Sequence, residues 1–568
     1  MVSRPSPAAR AAPPVRHGWT FLIHGPGRMA LPGLLGSIIL MFGGFGSGAL
    51  RRQDPLLDSV HLSWLRYGHG KIVSGTLVYL GVLLMFYAWV RIGRAVRAGR
   101  FTPRQLSGLA ALWAVPLLFS VPLFSRDAYS YLAQGALLRD GFDPYSVGPA
   151  VNPGLLLDNV STVWTTTTAP YGPAFILVAR GVTMITGDNV VTGTMLLRIV
   201  MLPGIFLAMW AIPRIARHLG GSPPVAVWLA VLNPLVLIHL IGGVHNEALM
   251  VGLMCAGIVA VLERKHLLGI ALVTLAVTVK ATSGAALPFM VWIWMNHRRQ
   301  DAIERGEDPP GWIPTFARAA VPSVLVFAVV FGTATAVAGI GVGWMTALSG
   351  ANKIINWLSL PTAVAQLYTV ATSWFTHLPL EPALEVTRLI SEAALVVIVL
   401  YLVGKFRGNT HDALRGTLFA MIAIVVLSPA ALPWYYTWPL AIAAGFALSD
   451  RMLSLVTAFS VFMMLIFRPD GSTGMYQWYH VIFAVACAVV AAKALRQEDP
   501  LRLRQWWSGN GSVSGAASPA QDGPTPDTSA DTSGQDDSTP DTSAQDCPAL
   551  SPPAQPAHPR SVMGADDG

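Results

Sequence analysis

An all-α polytopic membrane protein is the fold class this sequence predicts, on three observations. Of 568 residues, 53% are hydrophobic and 12% charged, against about a quarter charged in soluble domains. Mean hydropathy is +0.52. Apolar stretches alternate with short polar ones along most of the chain, and no soluble domain of useful size is left between them. Cys255, Cys487 and Cys547 lie far apart and form no metal or redox motif. The formal charge is +8, but from Gly509 onward there are nine Asp and one Arg, so this end carries −8 and the remainder +16. Basic cytoplasmic loops account for that excess, and nucleic acid is not an expected partner.

Taken in order, the elements follow from apolar length and loop charge. Arg4, Arg10, Arg16 and Arg28 precede the first apolar stretch without a core of signal-peptide length. Residues 1–29 are therefore expected to be a cytoplasmic arm with no cleaved signal, and residues 30–495 the transmembrane domain. Residues 31–50 and 73–90 are the first two spans, and the Arg-rich residues 91–104 are the clearest cytoplasmic loop. The third span, 106–124, then runs outward and leaves Asp127 outside. Residues 175–185 are apolar but short. They are laid in the interface, because a span there would put the basic residues 214–221 outside.

Further spans are expected at 192–212, 225–241, 248–262, 267–279, 285–295 and 321–340. With 367–374 interfacial, the rest fall at 393–403, 418–427, 440–448, 453–467 and 481–492, giving about fourteen spans with both ends cytoplasmic. Residues 496–568 are a cytoplasmic tail. From about residue 509 its TPDTSA repeats, set in Ser, Thr, Pro and Asp, cannot bury enough surface to fold, so disorder is expected.

Under this topology the unusual polar clusters all face outward. In SRDAYSYLAQGALLRDGFDPYSVGP, residues 125–149, Arg126 and Asp127 stand at the end of a span, where a carboxylate loses hydration and needs partners or a role. Asp127, Tyr129, Tyr131 and Gln134 fall within two helical turns, and Asp143-Pro144-Tyr145 forms a turn. A snorkelling Arg–Asp pair in an aromatic belt fits the same residues. His245, Asn246 and Glu247 open a membrane helix, either as a cap or as substrate contacts. Two adjacent ligands, His245 and Glu247, do not specify a metal. Lys280, Lys353 and Arg468 are cations at outer helix ends that snorkel singly or together neutralise a phosphate. Trp164, Tyr171, Trp344, Trp357, Trp434, Tyr435, Tyr436 and Trp438 serve equally as belt or as sugar platforms. No Walker loop or dinucleotide fingerprint occurs, so an enzyme here needs a membrane-borne donor.

SRDAYSYLAQG, GFDPYSVGP, WTTTTAPYGP, NPLVLIHLIGGVHNEALM and SPAALPWYYTWPL together resemble the actinobacterial polyprenol-phosphate-mannose-dependent α-(1→6)-mannosyltransferases. That family builds the mannan of lipomannan and lipoarabinomannan and belongs to the GT-C superfamily. The resemblance covers residues 31–494 and departs at Glu247, where the family pattern expects Asp. It implies a GT-C fold and mannosyl transfer, with inversion, from a polyprenyl phosphomannose donor to a lipid-anchored mannan acceptor. It implies catalysis by an acidic residue in the first large extracytoplasmic loop, here Asp127, which acts as base. Arg126, Lys280 and Arg468 then hold the donor phosphate, and Tyr129, Asp143, Tyr171, His245, Asn246 and Glu247 bind or orient substrate. No cofactor and no metal are expected, and membrane lipids are the remaining partners. The rival is a lipid-linked sugar transporter or flippase. Transporters place ionisable residues near the midplane and often carry internal repeats, whereas these carboxylates sit at a rim.

Overall fold

The computed structural model describes residues 25–498 and 500, so most of the N-terminal arm and nearly all of the expected cytoplasmic tail lie outside the described residues. Among the described residues the chain is all-helical. Its first half holds α1 (Leu31–Ser47), α2 (Gly68–Arg97), α3 (Pro103–Leu118), α4 (Asp127–Arg139), α5 (Pro173–Thr186), α6 (Val190–His218), α7 (Glu247–Leu262) and α8 (His266–Val277). The second half holds α9 (Leu287–Glu304), α10 (Trp312–Ala338), α11 (Leu360–Thr372), α12 (Leu380–Lys405), α13 (Thr410–Leu427), α14 (Thr437–Ala443), α15 (Asp450–Leu465) and α16 (Trp478–Arg496).

Seven of these, α1 together with the helical turn before it (Gly27–Ser47), α2, α6, α10, α12, α13 and α16, are long and apolar enough to cross a membrane; the bent pair Pro223–Ala230 and Pro234–Gly242, counted as one span, raises the number to eight. The protein is thus a multi-pass membrane protein, with fewer such helices than the fourteen expected spans. The difference has local causes. Residues 106–124 yield only α3, which starts in a Thr102–Gln105 capping box and stops at Leu118, two residues beyond an internal Pro116. Residues 225–241 break at Asn233-Pro234 with a bend of 48°, because Pro234 has no N–H and disfavours helix at Asn233. The other shortfalls are α7, α8, α14 and α15, of 16, 12, 7 and 16 residues, and α9, whose second half is polar.

Three devices bring distant segments to one place. Arg198, buried in α6, donates to the carbonyls of Leu118, Ile241 and Gly242 at 3.1, 3.2 and 3.0 Å. A guanidinium inside a membrane domain needs several acceptors, and satisfying it ties the end of α3 to the turn before His245. Leu123 and Phe124 extend this tie, their N–H groups donating to Gly242 and Pro469 carbonyls at 3.2 and 2.8 Å. Lastly, α6 and α7 cross at Gly204 and Gly252, where a Cβ on either would lie 2.1 Å from backbone oxygen of the other helix. Only glycine permits that approach, and it fixes the height of Glu247 at the start of α7.

Candidate active site

Two strained turns present the acidic residues. Phe124 and Val244 both have φ of 61°, a left-handed conformation costly for bulky and β-branched side chains. Phe124 precedes Ser125-Arg126-Asp127, and Val244 precedes His245-Asn246-Glu247. Just upstream of Val244, Ile238–Gly242 form a π-helical turn, a geometry frequent at functional sites. Together these turns place the start of α4 against the start of α7. His245 Nδ1 lies 3.6 Å from Asp127 Oδ2 and 4.0 Å from Glu247 Oε2. The His245 ring is stacked on Trp434 at 3.8 Å between centroids, so its plane is fixed from behind.

Lys280 follows α8 and reaches Glu247, whose Oε1 accepts from its Nζ. The ammonium also lies 4.4 Å from the Tyr435 ring centroid, 5.2 Å from Trp438 and 5.9 Å from Tyr171. Such an aromatic surround stabilises a cation that water does not fully hydrate. Tyr171 is delivered there by Gly172, which packs flat on Thr278: a Cβ at Gly172 would meet the Thr278 carbonyl oxygen at 2.3 Å. Backbone bonds from Gly172 to Val279 and from Phe175 to Thr278 hold this contact.

These groups open onto a cavity of about 530 Å³. Asp127, Ser130 and Gln134 line it from one face of α4, at helical spacing. Trp164, Thr167, Thr168, Pro170 and Tyr171 line it from the WTTTTAPYGP segment. Lys280, Tyr435 and Trp438 line it as well, as do Leu348, Ser349, Gly350, Asn352 and Ile354 with Glu392 and Leu395 of α12. Ser130 Oγ, Gln134 Oε1, Thr282 Oγ1 and Trp438 Nε1, all on residues of this wall, are buried without a hydrogen-bond partner in the protein. Leaving a buried polar group unpaired costs about 1–3 kcal/mol, so these four groups are polar points, open to water or to a ligand, in a wall that is otherwise largely apolar and aromatic. Burial raises the Asp127 carboxyl to about 6, with Glu247 adding and Lys280 and the Ser125 hydroxyl opposing. Its side chain keeps 17% exposure, directed to the cavity it lines. Among the described residues, no three His, Cys, Asp or Glu side chains are placed to hold a metal ion.

The expected site residues divide into two groups. Asp127, Tyr171 and Lys280 line the cavity, and His245 and Glu247 back them, fully buried. Asn246 is also buried, with both side-chain polar atoms unpaired, but is not on the wall. The remainder are elsewhere. Arg126 points away and donates to the Leu50 carbonyl at 2.9 Å and the Asn159 carbonyl at 2.8 and 3.1 Å. Tyr129 donates to the Ala49 carbonyl at 2.6 Å. Asp143 accepts from Tyr145 N–H and the Ser146 hydroxyl, closing its own turn. Arg468 stands in the turn bonded to Ser472 and Gly471, off the cavity wall. Burial and neighbouring turns decide these fates, and adjacency in sequence to Asp127 does not report them. Lys353 donates to the Thr167 hydroxyl at 2.7 Å and so joins two segments of the wall.

Ser130, Glu392 and Arg198 did not stand out in the sequence. Ser130 was recoverable from its i+3 spacing to Asp127. Glu392 directly precedes the apolar residues 393–403 but follows Glu381, Glu385 and Arg388, so nothing in the sequence set it apart from them.

Two family models cover most of the transmembrane region. One, described as α-(1→6)-mannopyranosyltransferase, N-terminal domain, matches residues 30–296, and the other, the MptB C-terminal domain, matches residues 361–497. Among curated proteins, α-(1→6)-mannopyranosyltransferase A of Mycobacterium tuberculosis is 52% identical over 82% of this chain and 89% of its own length. The Corynebacterium glutamicum protein of the same name is 37% identical over 80% and 94%. A probable α-(1→6)-mannopyranosyltransferase of Mycolicibacterium smegmatis is 32% identical over 82% and 87%. No solved structure matches the chain. On this similarity, spanning nearly all of the helical region described above, the chain belongs to the actinobacterial α-(1→6)-mannopyranosyltransferase family.

Proposed function

We propose that the protein transfers mannose, with inversion, from a polyprenyl phosphomannose to the 6-hydroxyl of a lipid-anchored α-(1→6)-mannan on the extracytoplasmic face, using a GT-C type fold. The observation that carries this reading is the Asp127 carboxylate on the wall of a largely apolar and aromatic cavity that also holds the Lys280 ammonium. In the step itself, the acceptor oxygen forms its bond to the mannosyl C1 while the bond from C1 to the phosphate oxygen breaks. The hydroxyl proton passes to Asp127, and the electron pair leaves with polyprenyl phosphate. A base near neutrality suits this task, and burial moves Asp127 in that direction.

Lys280 has three N–H donors, of which Glu247 takes one, leaving donors and charge for the departing phosphate. Glu247 holds that ammonium in position. His245 packs between Asp127, Glu247 and the Trp434 ring and, without a hydrogen bond to either carboxylate, limits the space in which the base can turn. Tyr171, Trp164 and Trp438 supply faces on which sugar rings stack. The deciding experiment is mannosyl transfer in membranes containing the protein, with labelled polyprenyl phosphomannose and short α-(1→6)-mannosides. Label appearing in a lengthened α-(1→6)-mannoside supports the reading. Label that only crosses the membrane, still attached to lipid, would replace it with transport.

A further inference from the structure

Glu392 lies near the midpoint of α12, about 18 Å along the helix from its Leu380 end. The helix is one of those able to cross a membrane; Glu385, Thr387, Arg388 and Ser391 precede Glu392, and the residues after it up to Gly404 are almost all apolar. Glu392 thus stands where the polar half of the helix gives way to the apolar half, and a carboxylate at that boundary is stable when it faces water or a polar group. Glu392 does line the cavity that contains Asp127. One turn earlier on the same helix, Arg388 donates to the carbonyls of Asn352 and Ile354 at 2.7 and 2.8 Å. This clamps the 348–354 segment over the part of the cavity where Glu392 stands.

Along the cavity, exposure changes in one direction. Ser130, Gln134 and Trp438 are buried, with unpaired polar atoms at their tips, and Asp127 and Lys280 are largely covered. Leu348, Ser349, Asn352 and Glu392 are exposed. The cavity therefore has a deep end, where the reacting groups sit, and a mouth. A single transferred sugar fits the deep end, whereas a polymer must leave through the mouth. Carboxylates accept pairs of sugar hydroxyls in charge-assisted hydrogen bonds.

We infer that Glu392, with Asn352 beside it, forms a binding subsite at the mouth for an acceptor mannose unit beyond the one that reacts. This rests on the mannosyl-transfer reading above and adds which wall holds the acceptor chain.

The test is initial-rate kinetics of the full-length protein with labelled polyprenyl phosphomannose and α-(1→6)-mannosides of two and four units. Glu392→Gln is expected to raise the KM of the four-unit acceptor about tenfold, the scale of one charged hydrogen bond, with kcat and donor KM within about twofold. The two-unit acceptor should be affected less, and Glu392→Asp should restore part of the loss. An unchanged acceptor KM, a change confined to donor KM, or equal effects on both acceptor lengths would each overturn the subsite. Should Glu392→Gln insert poorly, Asn352→Ala offers the same KM comparison from the 348–354 segment of the same subsite, with the same outcomes deciding. Failure of the wild-type protein to transfer mannose would instead reject the functional reading itself.

Discussion

His245 Nδ1 stands 3.6 Å from Asp127 Oδ2, although 117 residues separate the two in the chain. The contact exists because Arg198 and the Leu123–Gly242 bond draw the end of α3 against the turn that precedes α7. Everything proposed for the reaction depends on that junction.

Asp127→Asn keeps the shape and hydrogen-bonding capacity of the side chain but cannot take up a proton. Transfer is expected to fall by about 10²- to 10⁴-fold, with normal insertion and donor binding. Asp143→Asn is the control: that carboxylate closes its own turn off the cavity wall, so its rate should change little. Equal losses in the two variants would remove Asp127 as the base.

The pH profile follows from the same residue. Its carboxyl is raised to about 6, and a base works only when ionised. Below pH 6, kcat/KM should therefore drop about tenfold per unit, and above it the rate should level off. The limb should vanish from the residual activity of Asp127→Asn. A profile flat from pH 5 to 7 in the wild type would contradict the assignment.

Glu247 and Lys280 are a buried pair, and removing one partner strands the other's charge. Lys280→Met and Glu247→Gln should each cost about 3–5 kcal/mol, while the double variant should recover most of that stability. Thermal unfolding in detergent reads this out. Transfer should stay low in Lys280→Met and in the double variant, because the phosphate loses its cation in both. Additive stability losses would mean that the pair is not coupled.

Arg126 separates a structural arginine from a donor-binding one. Its guanidinium joins the Leu50 and Asn159 carbonyls, so Arg126→Met should lower stability by about 1–3 kcal/mol per acceptor left unpaired. Donor KM of the inserted protein should be nearly unchanged. A large rise in donor KM at normal stability would return Arg126 to the phosphate site.

Sidedness is tested with cysteines at exposed positions, in a background lacking Cys547. Ser472→Cys should react with a membrane-impermeant reagent in intact cells, and Gln300→Cys only after lysis; both positions are exposed. The reverse pattern would place the cavity on the cytoplasmic side.

The helical membrane class, the family, and the short segments that line or back the cavity (125–134, 164–173, 245–247 and 428–438) were all legible in the sequence. They were so because apolar length and charge are additive along a chain, and because motif residues carry their chemistry locally. The tertiary structure alone decided which charged side chains face the cavity. Arg126, Asp143 and Arg468 are as polar as Lys280 and sit in equally suggestive places, yet their turns and carbonyl partners hold them off the wall. Helix number also depended on tertiary detail, since Pro234 and the π turn break an apolar stretch that reads as one span. Glu392 shows the converse. Its position at the edge of an apolar stretch was visible, but its meaning came only from α12 standing against the same cavity as Asp127, more than 250 residues away in the chain. A site made of groups from distant helices is set by packing, and packing is not additive along the sequence.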